Sequence, residues 1–98
     1  MIQVYHAVPP TFGMTTPNWP EEYTLVATVD TTDLDVAFQL TNHIDNLWWE
    51  NKGVTLCGAK DKRSTSVGDV LVRQVDPETC FRCESLGWVQ INPHHGGP

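Results

Sequence analysis

Glu22-Tyr23-Thr24-Leu25-Val26-Ala27-Thr28-Val29 is the stretch that most narrows what this chain can fold into. It is β-branched and nearly continuous in apolar residues, which suits a central strand covered on both faces. Other segments supply the sheet around it. Ile2-Gln3-Val4-Tyr5-His6-Ala7-Val8 alternates, with Ile2, Val4, His6 and Val8 on one face and Tyr5 and Ala7 on the other. Residues 70–75 read as a strand, and residues 79–85 as its antiparallel partner across the tight connection Asp76-Pro77-Glu78. In that partner Phe81 and Cys83 share one face and Cys80, Arg82 and Glu84 the other; the first face is expected to be the core. Leu86-Gly87 bends the chain into a last short strand over residues 88–91.

A helix is predicted over residues 33–43. Thr31 or Thr32 can cap it, Thr32 and Asp35 have capping-box spacing, and Asp33 and Asp35 favour the positive end of the helix dipole. Leu34, Ala37, Phe38, Thr41 and Ile44 fall on one stripe and should face the sheet. Residues 9–20, with Pro9, Pro10, Gly13, Pro17 and Pro20, read as a surface loop whose Phe12, Met14 and Trp19 fold back as a cover for the core. Residues 45–63 show no period apart from the short apolar piece Val54-Thr55-Leu56-Cys57, and Trp48 and Trp49 are the side chains suited to ordering them. The expected fold is α+β: a mostly antiparallel sheet of four to five strands, one helix packed on a face and a long ordered loop. A single globular domain over residues 1–91 and a flexible Pro/Gly/His tail over residues 92–98 complete it.

With 40% hydrophobic and 18% charged residues, the chain has the composition of a globular protein rather than a disordered one. It holds no apolar run near the ~20 residues that cross a bilayer, and residues 1–20 lack a signal-peptide pattern, so no membrane role and an intracellular, cytoplasmic setting are expected. Three cysteines, an odd number, fit reduced thiols better than a disulfide framework. The charge is lopsided. All six Lys and Arg follow residue 51 while seven of the twelve acids precede it, and the net charge is −6. Nucleic-acid phosphates would repel such a chain, and Lys60, Lys62 and Arg63 make only a small patch diluted by Asp61. Beyond keeping the chain soluble, an acidic face suits docking on a basic protein surface, including one that normally binds nucleic acid.

Chemistry-bearing motifs are sparse. Cys80-Phe81-Arg82-Cys83 has C-x-x-C form, and a zinc site can be drawn with Cys57 and one of His43, His94 or His95. Strand geometry opposes it, because residues three apart on a strand point to opposite faces. A redox role needs a helix N-terminus after the motif, and none is readable. No metal or cofactor is therefore expected. Four histidines and scattered acids give no Ser-His-Asp order, so no catalytic residues are assigned. One polar constellation remains. Asn42, Asp45, Asn46, Trp48 and Trp49 meet Arg63, Ser64 and Ser66 if the loop folds back on the helix end. Arg63 then caps helix carbonyls or pairs with Asp45 in a structural role; alternatively, these side chains converge on a ligand or partner.

Leu40-Thr41-Asn42-His43-Ile44-Asp45, a Trp shortly after, Arg63-Ser64-Thr65-Ser66-Val67-Gly68-Asp69-Val70 and a closing Leu86-Gly87-Trp88 resemble a group of small proteins carried by phages, plasmids and archaeal elements. The Arg-Ser-x-Ser-Val-Gly-Asp-Val stretch is in turn similar to the YodL-like domain. The likeness spans residues 22–91, and residues 63–70 are its specific part. It implies an accessory role during invasion of a host, such as counter-defence, and brings no catalytic residues. The chain departs from the group at Cys80-Phe81-Arg82-Cys83 and in residues 9–20. The expected function is thus a non-enzymatic accessory protein binding a host protein with a basic surface. The alternative is a small ligand-binding or hydrolytic domain using Asn46, Trp48, Arg63 and Ser66.

Overall fold

The computed structural model describes residues 1–8, 19–42, 47–58, 63–74 and 78–91. Within them the elements run β1 (Ile2–Ala7), β2 (Tyr23–Val29), α1 (Leu34–Thr41), a 3-10 turn (Trp48–Glu50), β3 (Val54–Leu56), β4 (Val70–Arg73), β5 (Thr79–Glu84) and β6 (Gly87–Ile91). The strands form one antiparallel sheet of order β3-β2-β1-β4-β5-β6. The α+β architecture agrees with the sequence reading. The strand count among the described residues is one above the expected range, because the apolar piece at residues 54–56 docks on β2 as a short edge strand.

β2 is internal, and its near-continuous apolar character has a local cause. The pairing of β1 with β2 slips between Val4 and Tyr5, so that Val4 faces Ala27, Tyr5 faces Leu25 and Val26 is the extra residue of a bulge. The bulge lets two consecutive residues, Val26 and Ala27, enter the same core cluster.

The helix-side core joins Ile2, Val4, Val26, Ala27, Val29 and Leu71 to Leu34 and Ala37 of α1 and to Trp48. As predicted, Leu34, Ala37 and Thr41 are the buried stripe of the helix, with Phe38 partly buried; Ile44 and His43 lie outside the described residues. Trp88 of β6 ties the helix to the far side of the sheet. Its ring meets Phe38 edge-on at 5.9 Å and its indole N–H donates to Asp35 at 3.0 Å.

The opposite face is not left to solvent. Ala7, Tyr23, Val70, Val72 and Cys80 form a second buried cluster, with Tyr5, Trp19 and Ile91 packed against it. This corrects the expectation that only the Phe81 and Cys83 side of β5 is core: Cys80 and Cys83 are both buried, on opposite faces of the strand. Trp19 sits between Tyr5 and Tyr23, edge-on to each at 5.0 and 5.2 Å, as a cover does. Phe12, Met14 and the rest of residues 9–18 lie outside the described residues, as do the Asp76-Pro77 connection and residues 92–98. No helix among the described residues is long and apolar enough to cross a membrane.

The helix cap also differs from the expectation. Asp33 is the N-cap, its carboxylate accepting from the Asp35 and Val36 N–H groups at 2.9 and 3.2 Å, and Thr31 supports it by accepting from the Asp33 N–H at 3.1 Å. A carboxylate outcompetes the Thr32 hydroxyl because it accepts from two donors at once beside the helix dipole. Asp33→Ala should therefore cost about 1 kcal/mol in urea-melt stability, Asp33→Asn far less, and Thr32→Ala almost nothing.

Candidate functional site

The loop leading into β4 is built around a buried carboxylate. Ser66 to Asp69 make a turn in which the Asp69 N–H donates to the Ser66 carbonyl at 3.1 Å, and Gly68 adopts φ 97°, a conformation that glycine reaches without strain. The turn aims Asp69 inward, where it is 1% exposed. Its Oδ1 accepts from the Ala7 N–H at 3.0 Å and from Arg63 Nη2 at 2.7 Å, and its Oδ2 from Arg63 Nη1 at 2.7 Å and the Ser66 N–H at 2.8 Å. Arg63 is 46% exposed at its side chain, so the pair has one wet and one dry member. The fork also donates to the Ala7 and Ser64 carbonyls and to the Ser66 hydroxyl. The bidentate bond to Asp69 raises the Arg63 pKa above its usual value, against a lowering by burial.

The same loop closes on the helix end, as the sequence suggested it could. Thr65 donates its N–H to the Thr41 carbonyl at 2.9 Å, the Asn42 amide donates to the Thr65 carbonyl, and the Trp48 indole donates to the Arg63 carbonyl at 3.1 Å. Trp48 is 1% exposed and its ring stacks edge-on against Trp49 at 5.5 Å. Asn42, Trp48, Arg63, Ser64 and Ser66 of the candidate set are thus assembled in one network, with Trp49 packed behind it. Asp45 and Asn46 lie outside the described residues. Among the described residues the guanidinium of Arg63 bonds to Asp69, Ala7, Ser64 and Ser66 and to no helix carbonyl, which differs from the capping expectation; the expected pairing with Asp45 lies outside the described residues. The backbone carbonyl of Arg63, rather than its side chain, makes the link toward the helix side, through Trp48.

His6 and Thr65 complete the network, and neither was singled out from sequence. Both are buried, with His6 Nε2 2.9 Å from the Thr65 hydroxyl and 3.8 Å from Asp69 Oδ2. A Thr, a His and an Asp at such distances invite comparison with a nucleophilic triad. Two features oppose it. A triad histidine turns different nitrogens to its carboxylate and its nucleophile, whereas here Nε2 faces both, and Thr65 is wholly buried from any substrate. What this arrangement does chemically is hold three chain segments together. The signal that could have exposed it is the spacing of Arg63 and Asp69 inside one motif.

The cysteines make a poor metal or redox pair. Cys80 and Cys83 point to opposite faces, and burial, followed by nearby carboxylates, pushes each thiol from 9.0 up to about 11. Metal ligation and nucleophilic attack both need the thiolate. Among the described residues no three His, Cys, Asp or Glu side chains are grouped so as to hold a metal. A thiol reagent at pH 8 should label half-buried Cys57 first and Cys80 and Cys83 only as fast as the fold opens. Because the folded state binds these two protons more tightly, their stabilisation is full below about pH 9 and is lost as pH rises through about 11, which pH-resolved thermal melts would read.

Asp69→Ala should destabilise the fold by about 3–5 kcal/mol, since it leaves the guanidinium and two backbone N–H groups without their acceptor. Arg63→Ala should cost less, on the order of 1–3 kcal/mol, because half of that side chain is wet, and Arg63→Lys should recover only part of the loss. Denaturant melts of the single and double variants measure the coupling.

The chain matches no protein-family model, no curated protein and no solved structure.

Proposed function

We propose that this chain is a non-enzymatic accessory protein of the phage and mobile-element kind, acting in the host cytoplasm by docking an acidic end on a basic surface of a host protein. Host takeover or counter-defence is the setting that the resemblance of residues 63–70 to the YodL-like domain implies. The observation that carries the reading is the placement of the acids. Asp30, Asp33 and Asp35 are exposed in succession where β2 passes into α1, and the Asp30 N–H donates to the Gly53 carbonyl at 2.8 Å, which brings the turn after exposed Glu50 alongside. Glu21 and Glu22 stand apart at the other end of β2, roughly 20 Å away along the strand, so Asp30, Asp33, Asp35 and Glu50 are the acids that make up the docking end.

The alternative, a ligand-binding or hydrolytic site at Asn46, Trp48, Arg63 and Ser66, has less support. Trp48 is buried, the Arg63 fork is engaged with Asp69, and the Ser66 hydroxyl accepts from Arg63, so three of the four side chains are already used within the fold.

The test is capture from host-cell lysate by immobilised wild type and by Asp30→Lys/Glu50→Lys, two exposed positions outside the buried network. A protein retained at roughly 50 mM salt, released by roughly 500 mM and not retained by the reversed variant is the expected result. Retention indifferent to charge, or a small metabolite as the only bound species, would overturn it.

A further inference from the structure

Among the described residues β3 and β6 are the two edges of the sheet, and they are managed differently. β3 is three residues long and follows Lys52, both common ways of blunting an edge. β6 has none of these devices. Its five residues, Gly87-Trp88-Val89-Gln90-Ile91, include no charge and no proline, and the pairing with β5 runs through without a bulge. In a chain of net charge −6, this is an uncharged, β-prone strip that another strand can approach without repulsion.

The direction of its backbone groups follows from β5. Cys83 donates its N–H to the Asp69 carbonyl and accepts from the Gly68 N–H, both at 2.8 Å, so its polar groups point toward β4. Cys83 and Trp88 are therefore a non-hydrogen-bonded pair, and the N–H and C=O of Trp88 point away from β5, to the open edge. Gln90, two residues on, points the same way, while Val89 between them faces β5 with its backbone.

That register is self-complementary. When two copies of β6 approach antiparallel about a two-fold axis at Val89, Trp88 of each stands opposite Gln90 of the other. Both are then in hydrogen-bonded positions, and about four ladder bonds close. The two Val89 side chains, each 44% exposed in the single chain, meet in the close, non-hydrogen-bonded pair at the centre. We infer that β6 pairs with β6 of a second copy of this chain, fusing two sheets into one across Val89. The inference rests on the sheet edge and is independent of the acidic end.

Sedimentation equilibrium over a range of concentrations tests it, with wild type, Val89→Glu and Gln90→Pro. Val89 lies directly opposite Arg82 on β5, whose guanidinium already pairs with Glu84 at 2.6 Å and can be shared, so a carboxylate there is tolerated in the isolated fold and repels its own copy across the axis. Gln90→Pro removes an N–H that faces the open edge and spares the ladder with β5. Wild type should sediment at twice the 11.0 kDa chain mass, and each variant should dissociate at least about tenfold more readily while keeping the wild-type circular dichroism. Amide exchange on the wild type alone gives a second reading that needs no variant: the Trp88 and Gln90 amides should be protected, and less so on dilution. A wild type that stays at the single-chain mass with fast-exchanging Trp88 and Gln90 amides overturns the proposal. So does a dimer that either folded variant forms as tightly as wild type.

Discussion

The carboxylate of Asp69 is the group on which the rest of this structure depends. Stripping a carboxylate of water costs several kcal/mol unless its lone pairs are met by other donors. Here the Ala7 and Ser66 N–H groups and both arms of the Arg63 fork meet them. The consequence reaches across the sheet, because β4 pairs with β1 only as far as Tyr5 and Val70. Beyond that point the Ala7 N–H is taken by the Asp69 side chain and the Ala7 carbonyl by Arg63, so the ion pair stands in for the strand that has ended. Meanwhile the backbone of Asp69 continues the pairing with Cys83 on β5. One residue joins β1 by its side chain and β5 by its main chain.

An ion pair with its carboxylate buried and its guanidinium half exposed contributes direction as well as stability; in stability alone, apolar residues of similar shape often do as well. What apolar residues would lack is direction. The Arg63 fork and the Ser66 to Asp69 turn admit one path for the loop, and that path delivers Thr65 to the Thr41 carbonyl and the Arg63 carbonyl to the Trp48 indole. The helix end, the 3-10 turn and the start of β4 are registered together by these bonds, while the apolar clusters on the two faces supply most of the driving force. Trp48, Arg63 and Ser66, three of the four side chains that would serve a ligand-binding reading, are engaged in this registration. The exposed acids at the β2–α1 end and the uncharged edge of β6 are two of the surfaces that the described residues present outward.

Much of this was legible in the chain itself. The apolar run at residues 22–29, the alternation at the N-terminus and the 3.6-residue stripe through Leu34, Ala37 and Thr41 state their elements because each pattern is a local property of backbone geometry. The strand assignment of Cys80 and Cys83 to opposite faces followed from period two alone. Local patterns separate nearby competitors less well: Thr31 or Thr32 reads as the helix cap where Asp33 fills that role, and Val54 to Leu56 reads as a short apolar piece with no strand partner named.

Sequence by itself determined the α+β class and the antiparallel hairpin of residues 70–85, since these depend on periodicity and turn residues, and it left the meeting of loop and helix end as a condition that the structure met. Tertiary structure alone decided that Arg63 takes Asp69, that His6 and Thr65 are buried beside it, that both faces of β5 are covered, and that β6 is an edge of the sheet among the described residues. The physical reason is common to all four. Each depends on which segments distant in the chain lie side by side, and hydrogen-bond partners and burial across such distances carry no periodicity that a linear pattern can record.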